Sequence, residues 1–240
     1  MTFETKEKSI KIFTDGANLD SISELARDPS IDGITTNPTL MRASGVTNYM
    51  TFAKASVQAS LGKPLSLEVF SDNHKEMMHQ ARILSKLSPN VYVKVPITNS
   101  LGISSLDVIK QLAKENINLN ITALLTKEQI EICLDSLEIS SKAYISIFAG
   151  RIADTGRDPV DYIDYALKKF KSHNDVEILW ASTREVYNIY QAADCGCHII
   201  TVTPSIIKKI KFKDYDLKKL SLETVQMFKK DSDAAKYEIS

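Results

Sequence analysis

Short apolar runs alternate with amphipathic stretches along the whole chain. Eight runs read as strands: residues 10–15, 33–37, 65–70, 91–96, 119–124, 143–150, 177–182 and 198–203. Between them, apolar side chains recur at helical spacing. Leu19, Ile22, Leu25 and Ala26 form one stripe. Tyr49, Phe52, Ala53, Ser56 and Val57 form the next, and Met77, Ala81, Leu84 and Leu87 the third. Leu101, Leu106, Ile109 and Leu112 predict a helix over 101–112. Thr126 and Gln129 have the spacing of a capping box ahead of Ile130, Leu134 and Leu137. Pro159 stands where a first helical turn tolerates proline, before Val160, Ile163, Ala166, Leu167 and Phe170. Val186, Ile189, Tyr190 and Ala193 follow, then a short helix over 204–210 and a charged one over 217–236.

Eight strands alternating with helices over 240 residues is the pattern of a (β/α)8 barrel. A doubly wound open sheet is the alternative, but the first turn, Asp15-Gly16-Ala17-Asn18, lacks the glycine fingerprint of that fold. No low-complexity linker interrupts the chain. The expected organisation is therefore one barrel domain over 1–240, with 211–240 as a C-terminal helical extension.

Strand alternation then sorts residues by face. Asp15 shares parity with Lys11 and Phe13, Glu68 with Ser66, and Lys94 with Tyr92. Asn118, Asn120 and Thr122 oppose Leu119, Ile121 and Ala123. Ser146 and Phe148 oppose Ile145 and Ile147. Ser182 is expected to share an inward face with Ile178 and Trp180, opposite Leu179 and Ala181. In a barrel, such polar residues near strand C-termini converge on one cavity. An antiparallel sheet with one wet face gives the same alternation, but leaves the intervening helices without a place.

Composition narrows the possibilities. Basic and acidic residues are equal in number, so net charge argues against nucleic acid or an anionic membrane as partner. No apolar run has the length of a membrane span, and residues 1–10 are polar and charged, unlike a secretory signal. Cys133, Cys195 and Cys197 lack zinc-type spacing; Cys195 and Cys197 fit a helix end before a strand. A reducing, cytoplasmic setting is the expectation.

The candidate chemistry centres on Lys94 in Val93-Lys94-Val95-Pro96. A strand lysine is commonly a solvated edge residue. Inside a barrel, an amine beside carboxylates serves Schiff-base chemistry with a carbonyl substrate. Imine formation needs the neutral amine, which burial favours and a nearby carboxylate opposes. Asp15 and Glu68 are therefore expected to act through a water. A structural ion pair between Lys94 and a carboxylate is the competing reading. Arg151 and Arg184 follow the sixth and seventh strands and, with Ser182, suit a phosphate monoester at the barrel rim.

Four motifs carry a resemblance: Gly33-Ile34-Thr35-Thr36-Asn37-Pro38-Thr39-Leu40, Val93-Lys94-Val95-Pro96, Ser146-Ile147-Phe148-Ala149-Gly150-Arg151, and Ala181-Ser182-Thr183-Arg184. In this order they resemble the transaldolase family, in its short-chain branch that also holds fructose 6-phosphate aldolases. The resemblance implies that Lys94 forms an imine with a ketose phosphate and that Asp15 is the acid/base at the C4 hydroxyl. It implies that Glu68 and Thr122 hold the catalytic water, and that Asn37, Asn120 and Ser146 bind sugar hydroxyls. Arg151, Ser182 and Arg184 would hold phosphate, and Phe148 would face the substrate. The implied reaction moves a dihydroxyacetone unit from fructose 6-phosphate or sedoheptulose 7-phosphate to erythrose 4-phosphate or glyceraldehyde 3-phosphate, in the pentose phosphate pathway. No metal or organic cofactor is implied. Relatives of this branch form rings, often decamers, through the last helix.

Two departures stand out. Asp15 is followed by Gly-Ala-Asn rather than the usual Thr or Ser, and the turn after Lys94, Thr98-Asn99-Ser100-Leu101-Gly102, is one residue longer. An aldolase releasing free dihydroxyacetone is the nearest alternative; Glu68 and Phe148 resemble the transferase, where the aldolases tend to carry Gln and Tyr. A non-catalytic sugar-phosphate binder or structural ring protein is the other.

Overall fold

A computed structural model describes residues 10–239. The charged stretch 1–9 lies outside the described residues. The order is β1 (Lys11–Asp15), α1 (Leu19–Arg27), β2 (Gly33–Thr35), α2 (Pro38–Ala43), α3 (Tyr49–Ala59), β3 (Leu65–Glu68) and α4 (His74–Ser85). It continues through β4 (Val91–Pro96), α5 (Leu106–Lys114), β5 (Leu119–Leu124), α6 (Lys127–Ser136), β6 (Ala143–Ile147), α7 (Ala149–Ala153) and α8 (Val160–Lys169). It ends with β7 (Val176–Trp180), α9 (Tyr187–Asp194), β8 (Ile199–Val202), α10 (Pro204–Lys209) and α11 (Leu217–Ala235). The strands are parallel and close in sequence order, with β8 returning to β1. This is the (β/α)8 barrel that the alternation predicted.

Helix starts follow local chemistry. The side chains of Asn18, Asn37, Asn48 and Asn73 cap α1, α2, α3 and α4, and Thr126 with Gln129 forms the capping box of α6. These caps cut several strands short. The run 33–37 stops at Thr35 because Asn37 is already the cap of α2, with Pro38 in its first turn. The run 143–150 stops at Ile147, since Ala149 opens α7.

The helix expected over 101–112 begins at Leu106 instead. Leu101 sits 78% exposed in a small hairpin, where Asn99 bonds Ile103 and Thr98 bridges Ser104. Its apolar spacing matched the helix by coincidence: Gly102, at φ 77°, breaks the chain before the helical residues.

The barrel floor is aromatic. Phe13, Tyr144, Leu179, Ala181 and Ile199 form the interior cluster, with Tyr92 and Phe148 packed against it. Tyr92 stacks on Tyr144 at 3.9 Å, and Phe13 meets Tyr144 edge-on at 5.5 Å. Gly33 is required here, because a Cβ would stand 2.5 Å from the Phe13 ring.

On β7 the predicted face is wrong. Leu179 and Ala181 point inward, while Trp180 lies on the outer side of the strand. The charged and polar count misled, because the inward face of β7 is apolar where it builds the floor.

The chain divides into two compact units, Met1–Ile207 and Lys208–Ser240. In the second, α11 starts at an Asp216 cap, has no buried residue, and exposes Leu217, Leu222, Val225, Met227 and Phe228. Among the described residues, no helix is long and apolar enough to cross a membrane.

Candidate active site

A cavity of about 410 Å³ opens at the C-terminal ends of the strands. Every site residue singled out from the sequence borders it: Asp15, Asn37, Glu68, Lys94, Asn120, Thr122, Ser146, Phe148, Arg151, Ser182 and Arg184. Register explains the deepest row. Glu68 pairs with Lys94 across β3 and β4, and Lys94 with Asn120 across β4 and β5. Neighbouring strands thus deliver a carboxylate, an amine and a carboxamide side by side.

Lys94 is 7% exposed. Its Nζ donates to the Thr36 carbonyl at 2.8 Å and lies 3.2 Å from Glu68 Oε2. Where the sequence has the carboxylates acting through a water, Glu68, paired with Lys94 across β3 and β4, makes a direct ion pair with the amine. Behind Glu68, the Tyr49 hydroxyl donates to its backbone carbonyl at 2.9 Å.

Asp15 ends β1 and makes different contacts. Its Oδ1 accepts from Thr35 Oγ1 at 3.1 Å, and Asn37 Nδ2 lies 3.3 Å from Oδ2. Burial pushes its pKa above the ordinary aspartate value; the charge of Lys94 and the bonds from Thr35 and Asn37 pull the other way. Asn37 is doubly committed, since its Oδ1 caps α2 through the Leu40 N–H at 2.9 Å.

Asn120 and Ser146 are tied together: the Ser146 hydroxyl donates to Asn120 Oδ1 at 2.6 Å, and Asn120 Nδ2 donates to Ser66 Oγ at 2.9 Å. Thr122 Oγ1 is enclosed and has no protein partner, so its hydroxyl is available to what enters the cavity. A bulge between Ile121 and Leu124, with Ala123 at φ 65°, lets consecutive residues Thr122 and Ala123 both border the cavity.

The far end is cationic. Arg151, in α7, holds its guanidinium 5.8 Å over the Phe148 ring. The Arg184 guanidinium pairs with Asp154, and its backbone N–H donates to Asn188 Oδ1 at 2.9 Å. Ser182 reaches this end although it lies off the inward parity, because its φ of 64° turns the chain. Gly150 permits that turn: a Cβ there would stand 1.7 Å from the Ser182 carbonyl oxygen.

Sequence reasoning missed Thr35, Thr201 and Thr203, which also border the cavity. Thr35 stands within the Gly33–Leu40 motif, and alternation on the eighth strand puts Thr201 and Thr203 on one face.

A parallel (β/α)8 barrel with a polar cavity at the C-terminal ends of its strands is an enzyme-like architecture. Comparison with known proteins narrows this. The profile of the transaldolase/fructose-6-phosphate aldolase family matches residues 12–239. A probable transaldolase of Thermoanaerobacter sp. (strain X514) is 33% identical over 202 residues, covering 84% of this chain and 89% of that protein. A probable transaldolase of Nitrosopumilus maritimus (strain SCM1) is 33% identical over 231 residues, covering 95% of this chain and 97% of that one. The chain belongs to the transaldolase/fructose-6-phosphate aldolase family. The barrel also resembles the solved 3-hexulose-6-phosphate synthase from Salmonella typhimurium, with a TM-score of 0.55 at 14% identity, over 83% of this chain and 90% of that one. That likeness is one of fold.

Proposed function

We propose that this chain is a transaldolase that passes a dihydroxyacetone unit from a ketose phosphate to an aldose phosphate through an imine on Lys94. The observation that carries the reading is the buried Lys94 Nζ at 3.2 Å from Glu68, in one cavity with Asp15 and Thr122. The amine must shed a proton to attack the ketose carbonyl, and Glu68 beside it takes that proton. Nitrogen adds to C2, and loss of the carbonyl oxygen as water leaves the imine. Asp15 then removes the C4 hydroxyl proton as the C3–C4 bond breaks. The aldose departs, and the electron pair stays on the three-carbon unit as an enamine on Lys94. An incoming aldose carbonyl takes that pair, Asp15 returns the proton, and hydrolysis frees the new ketose.

Arg151, Ser182 and Arg184 are assigned to phosphate, and Asn37, Asn120 and Ser146 to sugar hydroxyls. Each of these polar side chains retains hydrogen-bonding capacity beyond the bonds described above. Phe148 presents a ring without a hydroxyl to the cavity, which supports transfer over release of dihydroxyacetone.

The reading extends to the protein's setting. The balanced charge supports sugar phosphates, rather than nucleic acid or membrane, as partners, and the free cysteines Cys133, Cys195 and Cys197 support a reducing, cytoplasmic location. The exposed apolar side chains of α11 support a homo-oligomeric ring of up to ten chains, with residues 211–240 as an extension of a single barrel domain.

The test is incubation with fructose 6-phosphate, with and without erythrose 4-phosphate. Sedoheptulose 7-phosphate should form with acceptor, and little dihydroxyacetone without it. Release of dihydroxyacetone at an equal rate in both would assign an aldolase instead. No turnover of either kind would remove the enzymatic reading.

A further inference from the structure

Thr201 belongs to none of the roles assigned above, yet it is linked to Asp15. Its Oγ1 lies 2.6 Å from Thr35 Oγ1, and Thr35 Oγ1 lies 3.1 Å from Asp15 Oδ1. Barrel closure makes this possible. β1 pairs with β2 on one side and β8 on the other, so Thr35 and Thr201 meet over the inner face of β1. Both are nearly enclosed, at 3% and 5% exposure.

Proton counting fixes the direction of the chain. An ionised carboxylate only accepts, so Thr35 donates its single hydroxyl proton to Asp15. Thr35 then has no proton left for its other neighbour. At 2.6 Å the second hydrogen must come from Thr201. Each bond polarises the next, so the outer donor strengthens the inner one. We propose that Thr201 is a positioning residue for Asp15: acting through Thr35, it holds the carboxylate aimed and ionised for the C4 hydroxyl proton.

Thr201 itself is anchored, because its carbonyl accepts from Thr183 Oγ1 at 2.7 Å. The other groups facing Asp15 are accounted for. Lys94 on β4 favours the carboxylate, Glu68 on β3 opposes it, and Asn37 donates to it. On the outer side, the residues around the small cavity behind Asp15, among them Gly16, Asn18, Ser21 and Pro204, carry no charge. Arg151 and Arg184 border the same main cavity at the phosphate end. The burial that raises the Asp15 pKa gives the donor chain something to counteract.

This inference rests on Asp15 being the acid/base, so Asp15→Asn is run beside it. The rate of donor cleavage is measured against pH for wild type, Thr201→Val, Thr201→Ser and Asp15→Asn, and the Asp15 carboxyl is titrated by carbon-13 NMR. With Thr201→Val, the acid limb should move to higher pH and the Asp15 carboxyl should titrate higher. At the midpoint of the wild-type limb the rate should fall by up to about 3-fold, because Thr35 keeps its own bond to Asp15 and loses only the strengthening that the outer donor adds. The loss should fall on kcat more than on KM. Thr201→Ser keeps the hydroxyl and should return the limb to its wild-type position. If valine does not fold, Thr201→Ala takes its place, and the serine comparison still stands. An unmoved limb in the valine or alanine variant, with Asp15→Asn inactive, would overturn the role of Thr201 and leave that of Asp15. A serine variant displaced like valine would overturn it as well, because packing rather than the hydroxyl would then matter. Full activity in Asp15→Asn would instead remove the acid/base assignment, and the inference with it.

Discussion

Lys94 Nζ and Glu68 Oε2 stand 3.2 Å apart with both side chains largely enclosed, at 8% and 17% exposure. A buried pair of this kind is weak evidence of stability in itself, because desolvation offsets most of the attraction. Removing one partner is costly, since it leaves a lone buried charge. Lys94→Met should therefore lower stability, on the order of 3 kcal/mol. Lys94→Met with Glu68→Gln should recover much of that, as seen in thermal melts. Borohydride with fructose 6-phosphate should fix a sugar adduct on Lys94 in the wild type and none in the methionine variant. An adduct on any other lysine would overturn the assignment.

The arginines at the far end should divide the substrates. Arg151→Ala and Arg184→Ala should each raise KM for phosphorylated substrates, a loss of about 1.5–3 kcal/mol in kcat/KM. Unphosphorylated analogues should be affected less. Because Arg151 lies over Phe148 and Arg184 is held by Asp154, equal losses for both substrate kinds would show that these contacts serve structure rather than phosphate.

Phe148 decides what becomes of the enamine. It borders the cavity and follows β6 as the N-cap residue of α7. Phe148→Tyr adds a hydroxyl in nearly the same volume, able to orient a water or relay a proton. Release of dihydroxyacetone from fructose 6-phosphate without acceptor should rise, and transfer should fall in parallel. General acid–base groups contribute about 10²–10⁴-fold, so even a poorly aimed hydroxyl should be detectable. An unchanged ratio of release to transfer in a folded variant would make Phe148 ordinary filling.

Asp15 should reveal a conflict between stability and function. Its folded-state pKa lies above the ordinary value of 3.8, chiefly through burial. The folded state then holds the proton more tightly than the unfolded one, so stability falls as pH rises from near 3.8 through the raised folded value. At neutral pH Asp15 therefore costs stability. Asp15→Asn should raise the Tm at pH 7 while abolishing turnover, and the gain in Tm should shrink toward zero below the ordinary aspartate range. A lower Tm for the variant at pH 7 would reverse the sign of this argument.

The sequence by itself determined the barrel and most of what lines its mouth. Eight apolar runs separated by capped, amphipathic stretches leave few architectures, and period-two alternation is a local property of extended chain. That is why Asp15, Glu68, Lys94, Asn120, Thr122, Ser146 and Phe148 were legible as one face. Tertiary structure decided what lies beyond the reach of local geometry. Strand register set Lys94 and Glu68 in direct contact rather than a water apart. On β7 the alternation pointed the wrong way, and Ser182 reached the cavity only through a left-handed residue packed on Gly150. The meeting of Thr35 with Thr201 needed closure of the sheet, which brings strands far apart in sequence to either side of β1. Alternation assigns a side chain to a face, but distances between side chains on different strands are set only when the barrel closes.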